Sequence, residues 1–147
     1  MAVHNHTGQV VADLERASRF YTEVLGFRHW HSIELPDEPT AQLLGLSPPL
    51  GVRVEYLTLE GFVLELIEYT AQGATASRSE RSLNEPGLTH LSVSVEDIHA
   101  TAALAVRHGG QVVDGSDIGA ALFIRDPDGQ LVELLPASYR DSLPPKP

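Results

Sequence analysis

The chain repeats itself. His6-Thr7-Gly8-Gln9-Val10-Val11-Ala12-Asp13-Leu14 is matched by His90-Leu91-Ser92-Val93-Ser94-Val95-Glu96-Asp97-Ile98: a histidine, a short strand-forming run, and an aspartate seven places after the histidine. A helical pattern follows in both halves. Leu14, Ala17, Tyr21, Val24 and Leu25 make one apolar stripe, and Ile98, Ala102, Ala105 and Val106 make the other. Asp13 and Asp97 suit the helix N-caps, and Gly26 and Gly109 fall where a left-handed residue closes a helix. Each half ends in strands carrying Gly-x-x-x-Glu, Gly61 to Glu65 and Gly129 to Glu133. The order predicted in each half is strand, helix, then two or three strands.

Composition narrows what such a repeat does. At 147 residues, 42% hydrophobic and 20% charged, the chain buries a core as one compact domain, or as two small modules sharing one, and is not disordered. Its apolar runs are strand-length, which predicts no bilayer span. Twenty acidic residues against ten basic give a net charge of −10, which repels rather than collects a phosphate polymer. Zero cysteines remove disulfides, thiolate metal sites and thiol nucleophiles together. Met1-Ala2-Val3-His4-Asn5-His6 has no basic region followed by a long apolar run, so no export signal is expected and the cytoplasm is the expected location. Seven histidines in a cysteine-free chain point toward imidazole chemistry.

The strand patterns say where that chemistry would sit. From His90 to Val95, His90, Ser92 and Ser94 alternate with Leu91, Val93 and Val95, so one face of the sheet meets a helix and the other is a polar cup. Val52 to Tyr69 reads as a hairpin turning at Glu60-Gly61, and Asp126-Pro127-Asp128-Gly129 is a turn between Leu122–Arg125 and Leu131–Leu135. Pro36–Gly51, with four prolines, reads as a lid carrying a short helix around Thr40–Leu44. Thr70–Gly87 reads as a linker between halves, and Ser142–Pro147 as a loose tail.

Glu65 lies between Phe62-Val63-Leu64 and Leu66-Ile67, and Glu133 between Leu131-Val132 and Leu134-Leu135. A carboxylate buried there without a partner costs several kcal/mol, roughly, unless it is protonated or faces a cation. His6 and His90 open the matching first strands. Two imidazoles and two carboxylates at repeat-equivalent positions make a donor set for a divalent ion, the carboxylates balancing its charge and an octahedral ion keeping two positions open for substrate oxygens. Fe, Mn, Ni, Co and Zn all suit that set.

Beyond this repeat, His6…Asp13-Leu14-Glu15-Arg16-Ala17…Phe20-Tyr21…Leu25-Gly26-Phe27, Glu65-Leu66, Gly87-Leu88-Thr89-His90 and Asp126-Pro127-Asp128-Gly129…Glu133 resemble the vicinal oxygen chelate superfamily. That group includes glyoxalase I, methylmalonyl-CoA epimerase, extradiol dioxygenases, and fosfomycin and bleomycin resistance proteins. The resemblance implies an α+β fold of two tandem βαβββ modules, a curved mixed sheet around a central cavity, within one domain over residues 1–136. Module 1 would span 1–70, a linker 71–86, module 2 87–136, and a tail 137–147. It implies His6, Glu65, His90 and Glu133 as metal ligands and Glu133 or Glu65 as catalytic base. It also implies a homodimer, some members building each site from both chains.

Departures from the family order the activities. Glyoxalase I commonly has an Arg, three places before the Asp, that helps hold glutathione; Val10 stands there. Extradiol dioxygenases use two His and one Glu and usually a Tyr on the strand before the last ligand, which Leu122-Phe123-Ile124-Arg125 lacks. Proteins that only sequester bleomycin lack the metal set. The favoured reading is a divalent-metal lyase or isomerase of the glyoxalase type, acting on a small oxygenated carbonyl or thioester through a metal-stabilised enediolate. The alternatives are an Fe(II) extradiol-type dioxygenase and a small-molecule-binding resistance protein without catalysis. The expected partner is a small-molecule substrate, with neither nucleic acid nor membrane.

Other side chains carry weaker expectations. His4 competes with His6 on one strand face, and His29 and His31 share a face beside Trp30, a second metal site or surface imidazoles flanking a buried indole. His108 complements a helix C-terminus, and His99 lies on an exposed face. Arg78 and Arg81 grip a substrate carboxylate or are solvated. Phe62 and Trp30 line the cavity or pack in the core.

Overall fold

The computed structural model describes residues 1–75 and 82–144. The chain divides into two compact units, Met1–Ser77 and Arg78–Pro147. The first runs β1 (Thr7–Val10), α1 (Leu14–Glu23), β2 (Arg28–Leu35), α2 (Asp37–Leu44), β3 (Val52–Leu59) and β4 (Phe62–Tyr69). The second runs β5 (Leu91–Val95), α3 (Ile98–Arg107), β6 (Gln111–Val112), β7 (Leu122–Arg125) and β8 (Leu131–Pro136), then a 3₁₀ helix over Ala137–Ser142. Each unit is an open, four-stranded mixed sheet, ordered β1-β4-β3-β2 and β5-β8-β7-β6. In each, the first strand is parallel to the last and the other pairings are antiparallel. The expected α+β fold of tandem βαβββ modules is what the chain adopts, with α2 added to the first.

The helices form where caps and stripes coincide. Asp13 accepts from the Arg16 amide at 2.8 Å and starts α1, whose Leu14, Ala17, Phe20 and Tyr21 are buried. Asp97 accepts from the His99 and Ala100 amides, both at 2.9 Å, and starts α3. Val106 departs from its expected place in the second stripe. It is exposed, because the inward face of α3 is complete with Ile98, Ala102 and Ala105.

The hairpin β3–β4 turns at Glu60-Gly61, both with positive φ (51° and 88°), the geometry of a two-residue turn whose twist matches the strands. Its register sets opposite faces. Leu57, Leu64 and Leu66 are fully buried on the face that α1 covers, each contributing about 1.5–3 kcal/mol by burial. Val52, Val54 and Tyr56 alternate onto the other face, opposite Tyr69, Ile67 and Glu65.

That second face is only partly the expected polar cup. Ala41 of α2 and Leu50 close a buried cluster with Val52 and Val54, joined by Ile33, Leu35, Ile67 and Tyr69. The segment expected as a lid is therefore a packed cover over one end of the face. Its helix starts three residues before the expected Thr40, because Pro39 lies in the first turn, where the missing amide hydrogen has no helical partner to lose. The polar half of the face, with Tyr56 and Glu65, is the end nearer the hairpin turn.

In the second unit the Asp126-Pro127-Asp128-Gly129 turn is locked by Asp126. It is 2% exposed, and its Oδ1 accepts from the amides of Asp128 at 2.9 Å and Gln130 at 2.8 Å. The turn feeds β8 in register with β5, setting Ser92 beside Glu133. Among the described residues no helix is long and apolar enough to cross a membrane.

Candidate active site

Each unit brings one imidazole to one carboxylate. His6, just before β1, puts Nε2 3.1 Å from Glu65 Oε2 on β4. His90, just before β5, puts Nε2 3.7 Å from Glu133 Oε2 on β8. The parallel pairing of first and last strands does this in both halves, setting Gly8 beside Glu65 and Ser92 beside Glu133. Among the described residues no three His, Asp or Glu side chains gather as a metal cage, so each unit presents two donors.

The residue ahead of each histidine sets its ring. Asn5 Oδ1 lies 2.6 Å from His6 Nδ1, and Thr89 Oγ1 lies 2.8 Å from His90 Nδ1. Asn5 Oδ1 only accepts, so Nδ1 carries the hydrogen and a neutral His6 aims its Nε2 lone pair at the Glu65 carboxylate. Two acceptors do not sit 3.1 Å apart unaided; a proton or a cation belongs between them. Neighbouring ligands on a first-row ion, each about 2.0–2.2 Å from it, lie about 3 Å apart, so the His6–Glu65 pair already has that spacing. Gly8 keeps the space open, since a Cβ there would come within 3.3 Å of Glu65 Oε2. The chemistry and spacing of the His6–Glu65 pair fit two ligands of a divalent ion.

The carboxylates differ in what else holds them. Tyr56, directly across from Glu65 on β3, donates its hydroxyl to Glu65 Oε1 at 2.7 Å. Burial first, then that bond and the carboxylate's charge, push the Tyr56 phenol up to about 12. The matching residue across from Glu133 is Phe123, whose ring meets His90 edge-on at 5.3 Å. Ser92 donates to Glu133 Oε2 at 2.7 Å. The Glu65 side chain is 11% exposed and that of Glu133 25%.

Several expected site residues are placed elsewhere. A bulge between His29 and His31 sets them across from Leu57 and Tyr56, so they lie on opposite faces and form no paired site. His29 Nε2 is 2.7 Å from Ser32 Oγ. Trp30 is not buried; at 69% exposure its indole flanks Tyr56, ring centres 6.2 Å apart. His4 stacks on Phe62 at 6.1 Å, and Phe62 also meets Phe27, while it is His6 that stands beside Glu65. His99 is exposed and pairs with Asp117 at 2.8 Å. The Gly119 amide and then His99 hold the Asp117 carboxyl below its usual range. His108 is the C-cap residue of α3, its backbone amide bonding back into the last turn. Arg78 and Arg81 lie outside the described residues.

A model of the Glyoxalase/Bleomycin resistance protein/Dioxygenase superfamily matches residues 4–134. The chain belongs to this superfamily. The lactoylglutathione lyase of Haemophilus influenzae is 30% identical over 138 residues, 88% of this chain and 89% of that protein. That of Pseudomonas putida is 30% identical over 146 residues, covering 90% and 84%. Among solved structures, a glyoxalase family protein from Bacillus cereus superposes with a TM-score of 0.76 at 20% identity, over 91% of this chain and 93% of that one. The fosfomycin resistance protein FosX of Mesorhizobium loti superposes with a TM-score of 0.61 at 17% identity, over 97% and 99%. These similarities place the superfamily member among enzymes of the glyoxalase type.

Sequence reasoning named the two histidines and two glutamates but missed Tyr56, Asn5 and Thr89. For Tyr56 the signal was present. Counting back equally from Leu59 and Phe62 across the Glu60-Gly61 turn sets it opposite Glu65.

Proposed function

We propose that the protein is a lyase or isomerase of the glyoxalase type, with His6, Glu65, His90 and Glu133 holding a divalent metal ion and Glu133 acting as general base. The observation that carries this reading is the His–Glu pair made in the same way in both units, each ring fixed from behind by its preceding residue. When bound, such an ion supplies Lewis acidity to two vicinal oxygens of a small oxygenated carbonyl or thioester substrate. Around it the side chains divide the work. Asn5 and Thr89 keep the Nε2 atoms of His6 and His90 facing their glutamates. Glu65, held on both oxygens, stays fixed. Glu133, the more exposed carboxylate, takes a proton from the substrate carbon that bears a hydroxyl and returns it to the neighbouring carbon, a redox-neutral shift through an enediolate.

The relatives named lactoylglutathione lyase support this reaction class. Val10, apolar and half-exposed, gives no cation at its position for a tripeptide thiol, which favours a different thiol adduct or hydroxycarbonyl as the working substrate. We further propose that the protein works as a homodimer.

Solvent-deuterium exchange into the α-carbon of S-lactoylglutathione and of small α-hydroxy thioesters tests the reading. With metal saturating, Glu133→Gln is expected to cut exchange by at least 10²-fold, far more than it reduces substrate binding. Exchange at the parent rate in that variant contradicts it, as does oxygen uptake on catechols with Fe(II) and no exchange.

A further inference from the structure

The two units build nearly the same pair, and the small difference between them is informative. Across the sheet from Glu65 stands a tyrosine, and across from Glu133 a phenylalanine, at corresponding register positions. Beside Glu65 on the parallel strand stands Gly8, and beside Glu133, Ser92. Each carboxylate thus receives one hydroxyl, but from opposite sides and on different oxygens. Tyr56 binds Glu65 Oε1, leaving Oε2 to face His6 Nε2. Glu65 is clamped at both ends, on a side chain 11% exposed. Ser92 binds Glu133 Oε2, the same oxygen His90 approaches, and Phe123 offers no hydroxyl.

We propose that Tyr56 is a positioning residue that locks Glu65 as the stationary carboxylate, and that Phe123, by withholding a hydroxyl at the matching place, leaves Glu133 the carboxylate that moves. This rests on the proposed role of Glu133 as proton acceptor. A carboxylate clamped through both oxygens holds one orientation toward a metal, and outer partners of this kind typically account for 10–100-fold in metal affinity. A carboxylate held through one oxygen rotates about its Cγ–Cδ bond and reaches a substrate carbon. The duplicated halves would then divide one chemistry between a fixed ligand and a mobile base.

Two variants that keep their rings, Tyr56→Phe and Phe123→Tyr, test this in the full chain. Cobalt(II) alone is titrated by its visible absorption, and exchange is followed with cobalt(II) saturating on whichever of S-lactoylglutathione and the small α-hydroxy thioesters the parent chain exchanges. Thermal melting of both variants serves as the folding control. Tyr56→Phe is expected to weaken cobalt(II) binding 10–100-fold with an altered absorption spectrum. Phe123→Tyr is expected to leave cobalt(II) affinity at or above the parent value and to slow exchange at least tenfold, because Glu133 gains the clamp Glu65 has. Parent-like cobalt(II) binding in Tyr56→Phe, or parent-like exchange in Phe123→Tyr, overturns the proposal while leaving the metal reading standing. No cobalt(II) binding by the parent chain overturns both.

Discussion

Tyr56 links the protonation chemistry of the first unit to its geometry. Its phenol, pushed up to about 12 by burial and by Glu65, stays neutral at pH values where an ordinary tyrosine, with a pKa near 10, ionises. The folded state favours the protonated form, so the hydroxyl's contribution to stability is complete below the ordinary tyrosine value and is lost as pH rises through about 12. An ultraviolet difference titration is expected to show one tyrosine ionising late, and Tyr56→Phe to remove that late component alone. A titration in which every tyrosine ionises near 10 would contradict the Tyr56–Glu65 bond. Trp30 lies exposed against the same ring.

At the scale of elements, the duplicated strand pairings place the two His–Glu pairs, and the turn before β8 leads into the strand that carries Glu133. Asp126 is buried and accepts two amides. Replacing it with alanine removes two charge-assisted hydrogen bonds at about 1.5–3 kcal/mol each. Chemical denaturation of Asp126→Ala is expected to show a loss of about 3–6 kcal/mol; a loss under 1 kcal/mol would show that the turn forms without it. The elements near this turn were legible because their signals are local: an N-cap aspartate, a turn tetrapeptide, strict alternation. The histidines and glutamates were legible because they recur. What escaped depended on non-local pairing or on defects in alternation. The bulge at His29–His31 carries no Gly or Pro to announce it, yet it turns two imidazoles to opposite faces and leaves Trp30 outside. Pro36–Gly51, expected as a lid with a helix around Thr40–Leu44, holds a helix that already starts at Asp37, because Pro39 sits where a proline breaks nothing.

At the scale of the whole molecule, each unit makes one His–Glu pair in the same way, and among the described residues no third His, Asp or Glu joins either pair. Under the proposed function half of a four-donor set binds a divalent ion weakly, so that proposal requires both pairs. The expected homodimer has a mass of twice 15.9 kDa, and sedimentation velocity on the full chain tests it. Exposed Trp30, Leu88 and Ile118 offer apolar surface for that association. A species at the single-chain mass at all concentrations would contradict the dimer.

The most direct test of the central claim, that the two histidines and two glutamates hold one ion together, is metal stoichiometry. The full chain and its His6→Ala, Glu65→Gln, His90→Ala and Glu133→Gln variants are dialysed to equilibrium against a first-row divalent metal, and bound metal is measured per chain. We expect one ion per parent chain and a large loss of affinity in all four variants, including those altered in only one unit. Retention of the metal by the His90 and Glu133 variants when the His6 and Glu65 variants lose it, or no retention by the parent, would contradict the shared site.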